Sequence, residues 1–266
     1  YGHITPVPEG SRLKSEPVWL SSKFSRLEQT KPLAGSRLLE IGPGPGLFLW
    51  WARERGCEVL GVEPSPNFCR VLEQTGLPHL QGTLDEVDPA IHGTFDLIYM
   101  SHVFEHFYDP NEALVQCRGL LAEGGLLAIE VPNVLKPFRS LDHYFLRYVH
   151  PSNFSPRTLQ SQLEKQGFRP FHVDAGGTDW RSPQNLFVIA AKQTEIPGER
   201  PPVPAETEEV MHALREYRQR WQRSLALKWH ARSLSLRIKR SLIKAGRPLK
   251  RLLKGRRAAA TAQHPV

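Results

Sequence analysis

A chain of 266 residues accommodates one well-buried domain of about 200 residues and an appendage. With 40% hydrophobic and 23% charged residues, its composition is that of a protein with a folded globular core. Its charge of +8 is unevenly spread: 15 of the 35 Lys and Arg follow from Arg218 onward with no Asp or Glu among them, which leaves 20 basic against 27 acidic residues, a net −7, over residues 1–217. An acidic body thus carries a basic tail, and only the tail is suited to a polyanion.

Three cysteines, Cys57, Cys69 and Cys117, lie far apart without metal-ligand spacing, as expected of free thiols in a reducing compartment. No apolar run approaches the roughly 20 residues of a spanning helix, and a cytoplasmic protein is expected.

Residues 1–36, with Pro6, Pro8 and Pro17, form an N-terminal extension followed by a helix. From Arg37 short apolar strands alternate with helical stretches, the signature of βαβ units and a mostly parallel sheet. Strands are predicted at 37–41, 58–62, 79–81, 95–100, 126–131, 169–173 and 185–191, with helices at 47–55, 66–74, 111–121 and 156–167. Gly124-Gly125 is a turn into the fifth strand, and the final two strands, adjacent in sequence, imply that one runs antiparallel. This domain, residues 37–192, is followed by a Pro-rich linker at 193–204, a basic helical tail at 205–257 and a disordered end at 258–266.

The most informative segment is Glu40-Ile41-Gly42-Pro43-Gly44-Pro45-Gly46. Glycines at every second position after a strand allow a tight turn and a close ligand approach. Glu40, two residues before the first glycine, disfavours the pyrophosphate of a dinucleotide but attracts an ammonium group. NAD is the competing cofactor, and the lack of a helix-facing GxGxxG weighs against it. Glu63, at the end of the second strand, is placed to accept hydrogen bonds from two ribose hydroxyls.

Together with Val62-Glu63-Pro64-Ser65, Phe95-Asp96-Leu97-Ile98, Ser101-His102-Val103-Phe104-Glu105-His106-Phe107-Tyr108-Asp109-Pro110 and Leu120-Leu121-x-x-Gly124-Gly125, the glycine loop makes residues 35–192 resemble the class I S-adenosylmethionine-dependent methyltransferases, the bacterial methyltransferase domain 23 group above all. The resemblance implies an α/β fold: a Rossmann-like seven-stranded sheet with flanking helices, here with a C-terminal basic helical tail. It implies S-adenosylmethionine as cofactor, held by Glu40, Gly42, Gly44, Gly46, Glu63, Pro64, Thr83, Leu84 and Ser101. Thr83 stands where the group often has an acid, so adenine is expected to rest on Leu84 and backbone groups. Asp96 either takes part in the site or caps a neighbouring backbone group.

Methyl transfer is an in-line displacement, and a hydroxyl acceptor needs a group to take its proton. His102 and His106, beyond the fourth strand, are the catalytic candidates, with Glu105 in a supporting part. Asn133, His143, Tyr144, Tyr148 and His150 follow the fifth strand. Aromatic faces mixed with polar tips suit a ring-shaped polar acceptor such as a sugar, or else they cover the sheet edge. No metal is expected: His-Glu-x-x-His is absent, and the one metal alternative joins His102 and His106 to a distant His143 or His150. O-methylation of a carbohydrate or similar small polar acceptor, in glycan biosynthesis, is the leading expectation. A C- or N-methyltransferase of an aromatic or amine is the rival, and a nucleic-acid-binding protein with a vestigial enzyme domain the disfavoured reading.

In the tail, Leu227, Leu234, Ile238, Leu242, Leu249 and Leu252 recur at helical spacing among ten Lys and Arg, from Lys228 to Lys254, and Gly246 and Pro248 break it into two segments. Such a stripe lies on an anionic membrane at the inner face, packs on the body or a second subunit as a homo-oligomer, or binds a polyanion.

Overall fold

A computed structural model describes residues 25–138, 140–146, 149–176, 185–196, 206–225, 227–228, 230–231 and 233–235. A helix, α1, covers residues 25–30. Then follow β1 (Arg37–Ile41), α2 (Leu47–Arg53), β2 (Glu58–Glu63), α3 (Pro66–Gln74), β3 (His79–Gln81), α4 (Pro89–His92) and β4 (Phe95–Ser101). The chain continues through α5 (Pro110–Leu120), β5 (Leu121–Pro132), α6 (Pro156–Lys165), β6 (Phe168–Asp174), β7 (Asn185–Lys192) and α7 (Thr207–Arg220).

The seven strands form one sheet in the order β3-β2-β1-β4-β5-β7-β6. Pairing is parallel from β3 to β5, and β7 runs antiparallel to both β5 and β6. The expected antiparallel strand is therefore β7. Order reverses between β1 and β4, so the crevice beyond their carboxyl ends is the topological switch point.

Strand periodicity divides the core in two. On β4, Ile98 and Met100 join Leu39, Ile41, Leu127 and Ile129 and pack against Leu114 and Cys117 of α5 and Leu159 and Leu163 of α6. Leu97 and Tyr99 point the other way and join Leu38, Ala128 and Ile189 against Leu27 of α1 and Phe48, Leu49 and Trp51 of α2. Both faces are covered, which is why the central strands read as nearly continuous apolar runs. Each helix start has a local cause: Asp109 accepts from the N–H groups of Asn111 and Glu112 with Pro110 in the first turn of α5, and Ser155 forms a capping box with Thr158 ahead of Pro156 in α6.

Gly124-Gly125 differs from expectation. β5 already begins at Leu121, and its register with β4 jumps from Phe95↔Leu121 to Leu97↔Leu126. The glycines, with Gly124 at φ 69°, sit in the resulting irregularity inside the strand. Asp96 holds the opposite end of the sheet from the switch point: its carboxylate accepts from the Arg37 N–H at 2.9 Å and pairs with Lys31 at 2.7 Å. The Lys31 hydrogen bond, helped by that from Arg37, holds its pKa below the usual carboxylate value.

The tail's first helix is docked. Tyr217 of α7 and Leu225 form a small core with Val134, Leu141 and Phe145 from the segment after β5, with Val210, Leu214 and Trp221 against it. Arg218 reaches Asp142 at 2.7 Å, and the Ser155 hydroxyl donates to Glu206. Leu227 and Leu234 are exposed, while Ile238, Leu242, Leu249, Leu252 and the 246–248 break lie outside the described residues. Among the described residues no helix is long and apolar enough to cross a membrane.

Candidate functional site

The glycine loop divides its labour. A Cβ on Gly46 would meet Leu72 at 2.5 Å and Leu77 at 2.6 Å, and one on Gly42 would meet Val103 at 2.6 Å. These two glycines permit packing of the loop on α3 and on the segment after β4. Gly44, at φ +55°, has no heavy atom within 4 Å of where a Cβ would stand, so its surface is the one open to a ligand.

Two buried carboxylates lie beneath the loop. Glu63 accepts from the Gly44 N–H through Oε2 and from the Ser65 N–H through Oε1, both at 2.9 Å. Each oxygen keeps a further lone pair, enough for two hydroxyl donors. Glu40 accepts from the Leu49 N–H at 3.1 Å, and burial, against that bond and reinforced by the charge of Glu63, pushes its pKa from 4.5 to about 8. A cationic ammonium is the ligand group that would offset such burial. An open glycine, two acids at the carboxyl ends of β1 and β2 and a switch-point crevice together fit S-adenosylmethionine: Glu63 toward ribose, Glu40 toward the amino acid ammonium.

Pro64 is exposed beside Glu63. At residues 82–86, the Thr83 hydroxyl donates to Asp85 and the Thr83 N–H to Glu86 at 2.7 Å, a closed local cap. Leu84 is buried in the core on the α5 side, 3% exposed, so it shapes this wall from beneath.

Beyond β4 the chain changes course at His102, the one non-glycine with positive φ, 55°, among the described residues. Its N–H donates to the Glu130 carbonyl at 2.8 Å, which fixes the bend to β5. The ring is half-exposed, with Nδ1 3.4 Å from Oε1 of the buried Glu105 and Nε2 3.0 Å from Nδ2 of Asn185. Asn185 also donates to Glu130, whose Oε2 accepts from Ser101 at 3.0 Å and Tyr99 at 3.4 Å. Burial, followed by the charge of Glu130, raises the Tyr99 pKa well above its ordinary value. An Asn amide given to Nε2 leaves the proton of a neutral His102 on Nδ1, facing Glu105.

His106 donates Nδ1–H to the Val149 carbonyl at 2.6 Å, and its ring meets that of His150 edge-on with centroids 4.8 Å apart. The segment after β5 therefore folds back over β4, pinned by Phe154 stacked on Phe104 and by the Ser152 N–H to the Glu105 carbonyl. Asn133 has an anchoring part in place of the expected contact with an acceptor. It is fully buried; its Oδ1 accepts from the Leu135 N–H and its Nδ2 donates to the Ala175 carbonyl, both at 3.0 Å, which leaves it little to offer a ligand. His143 and Tyr144 lie in a single wide turn, Leu141–Phe145, and their side chains, like the whole of Tyr148, fall outside the described residues.

Glu130 and Asn185 are absent from the sequence-derived set. Glu130 had a signal, a carboxylate inside the apolar run of residues 126–131 in β5. Asn185, next to residues 177–184, which are not described, had none.

The family model described as Methyltransferase domain, number 23 of its series, matches residues 17–173. The C-methyltransferase NovU of Streptomyces niveus is 31% identical over 143 residues, 52% of this chain and 34% of that protein. A ubiquinone biosynthesis O-methyltransferase of Cereibacter sphaeroides is 35% identical over 120 residues, 43% of this chain and 49% of that protein. The chain thus spans half or less of the length of these two relatives. An S-adenosylmethionine-dependent methyltransferase of Mesorhizobium loti shares the fold at a TM-score of 0.53 and 19% identity, covering 65% of this chain and 100% of that one. With the switch-point glycine loop and the acids beneath it, the chain belongs to the methyltransferase domain 23 family of class I S-adenosylmethionine-dependent methyltransferases.

Proposed function

We propose that the protein methylates a small aromatic or amine acceptor at a position that surrenders a proton to His102. The cofactor supplies the methyl group as an electrophilic sulfonium substituent; everything else is asked of the chain. Gly44 admits the ligand, Glu63 and Glu40 orient it, and His102 stands at the carboxyl end of β4 next to the loop, because Val103 packs on Gly42. The carrying observation is the imidazole of His102, strained to φ 55°, half-exposed, and set with Nδ1 towards the buried Glu105. In that setting Nε2 takes the acceptor proton once the acceptor displaces the Asn185 amide, and Glu105 balances the imidazolium that forms.

The name of one relative, an O-methyltransferase of ubiquinone biosynthesis, supports an acceptor with a conjugated ring. A sugar hydroxyl is the second reading, favoured by the half-buried His150 beside His106 in the segment that covers the site. Incubating the full chain with labelled cofactor and matched panels of phenols, aromatic amines and sugars tests both. Turnover confined to the sugar panel would replace the first reading with the second. Failure of His102→Ala to slow any observed turnover would remove His102 as the base.

A further inference from the structure

Next to the methyl-transfer position lies a group of side chains of which that chemistry uses Glu105 alone. We propose that Glu105, His106 and His150 bind a divalent first-row transition ion, zinc foremost. Ligand atoms from the three side chains lie within 4.8 Å of one another. Tetrahedral bonds of about 2.0–2.2 Å to one ion place ligand atoms about 3.3–3.6 Å apart, so the three side chains close on it by about 1 Å, within reach of small side-chain rotations.

Three observations converge. First, Glu105 is 2% exposed and neither carboxylate oxygen has a hydrogen-bond partner. A buried carboxylate with no hydrogen bond costs several kcal/mol, and a cation offsets it. The His102 ring is 3.4 Å away and supplies a charge only when protonated. Second, both other histidines give Nδ1–H to main-chain carbonyls, His106 to Val149 at 2.6 Å and His150 to Phe145 at 3.1 Å. That outer bond fixes the neutral tautomer with its lone pair on Nε2, the usual state of a metal-bound imidazole. Third, the three side chains come from two segments held together independently of any ion, by the Phe104–Phe154 stack and the bond from Ser152 N–H to Glu105 O. The two segments are therefore brought together before the ion arrives, and only the side chains have to close on it.

Two imidazoles and one carboxylate suit zinc and its neighbours better than magnesium or calcium, which prefer all-oxygen sets. Three protein ligands leave a position open for an acceptor oxygen. That role rests on the methyl-transfer reading: an acceptor hydroxyl bound there becomes more acidic, gives its proton to His102, and uses the freed electron pair to form the new oxygen–carbon bond as the carbon–sulfur pair returns to sulfur.

Binding can be tested apart from turnover. The full chain, stripped with chelator, is titrated with zinc by calorimetry and with cobalt(II) by visible absorption, with no cofactor or acceptor present. One ion per chain is expected, with a cobalt band in the visible and a rise in melting temperature. Glu105→Gln and His150→Ala should each weaken binding at least tenfold, and His79→Ala, on β3, should leave it unchanged. Should Glu105→Gln fail to fold, the more accessible His150→Ala decides alone. No binding by the wild type, or binding unaffected by His150→Ala, overturns the site and leaves the methyl-transfer reading standing; binding without turnover on any panel does the reverse.

Discussion

Replacing Glu40 with glutamine is expected to stabilise the protein by an amount that grows with pH. Glu40 sits inside β1, 5% exposed, with one hydrogen bond, from the Leu49 N–H, and a pKa pushed by burial from 4.5 to about 8. In the unfolded chain it ionises near 4.5; in the folded chain it keeps its proton until about 8. Between those values the folded state binds more protons, so stability falls as pH rises, by about 1.4 kcal/mol per unit. The cost is absent below pH 4, about 3 kcal/mol at pH 7 and about 5 kcal/mol above pH 8. Glutamine keeps the shape and a carbonyl for the Leu49 N–H without the charge. Urea unfolding of both proteins at pH 5, 7 and 9 isolates this group together with its coupling to Glu63, since the remaining groups cancel in the difference. The advantage of Glu40→Gln should rise from about 1 to about 3 to about 5 kcal/mol across the series. A difference that stays constant with pH would refute the reasoning. The same substitution should weaken cofactor binding, and wild-type affinity should increase from pH 6 to 8 as Glu40 ionises against the ammonium. A destabilising charge kept where a cationic ligand arrives is the usual trade of stability for function.

Further expectations concern single side chains and the tail. Gly44→Val should abolish cofactor binding by calorimetry at a folding cost of about 1–2 kcal/mol, because the site is open but its φ of +55° disfavours a branched residue; retained affinity would remove the loop from the site. Glu63→Ala should lower cofactor affinity roughly ten- to a hundredfold through about 1–3 kcal/mol of lost hydrogen bonding, and an unchanged dissociation constant would mean the ribose lies elsewhere. His102→Ala should reduce kcat with little change in cofactor affinity, read by comparing turnover with direct binding. For the tail, flotation of the full chain with anionic but not neutral liposomes, lost at high salt and in a form ending at Arg200, is expected; truncation that instead turns a dimer into a monomer would identify an assembly element.

Much of the fold is legible because its determinants are local. Strands β1, β2 and β4 read as apolar runs since α1, α2 and α3 cover one face and α5 and α6 the other. Pro110 and Pro156 mark helix starts because a first-turn residue has no N–H to lose. Gly124-Gly125 misleads because a pair of glycines serves a turn between elements and an irregularity within one equally well; only pairing with Phe95 and Leu97 separates the two. The docking of α7 is not legible in the predicted stripe, Leu227 to Leu252, because the residues that dock, Val210, Leu214, Tyr217, Trp221 and Leu225, lie ahead of it. Apolar residues on a helix state that something covers them, and here the cover is Val134, Leu141 and Phe145, from a segment 72 to 83 residues before Tyr217.

The site divides along a similar line. Glu40, between Leu39 and Ile41, and Glu130, between Ile129 and Val131, interrupt buried strands where a charge costs several kcal/mol without partners. Such an interruption is visible in the sequence and marks a site whatever its chemistry. What holds the imidazoles is of another kind. His106 and His150 are oriented by the carbonyls of Val149 and Phe145, and His102 by a bend whose N–H goes to the carbonyl of Glu130. A carbonyl is offered by every residue, so no spacing of side chains announces it. His102 and His106 stand together in the sequence as the catalytic candidates beyond the fourth strand; the fold instead turns His102 toward Asn185 and His106 toward His150, with Glu105 between the two arrangements. Two neighbouring histidines thereby acquire different environments, the division that the proposed proton transfer at His102 and the proposed ion binding at His106 call for.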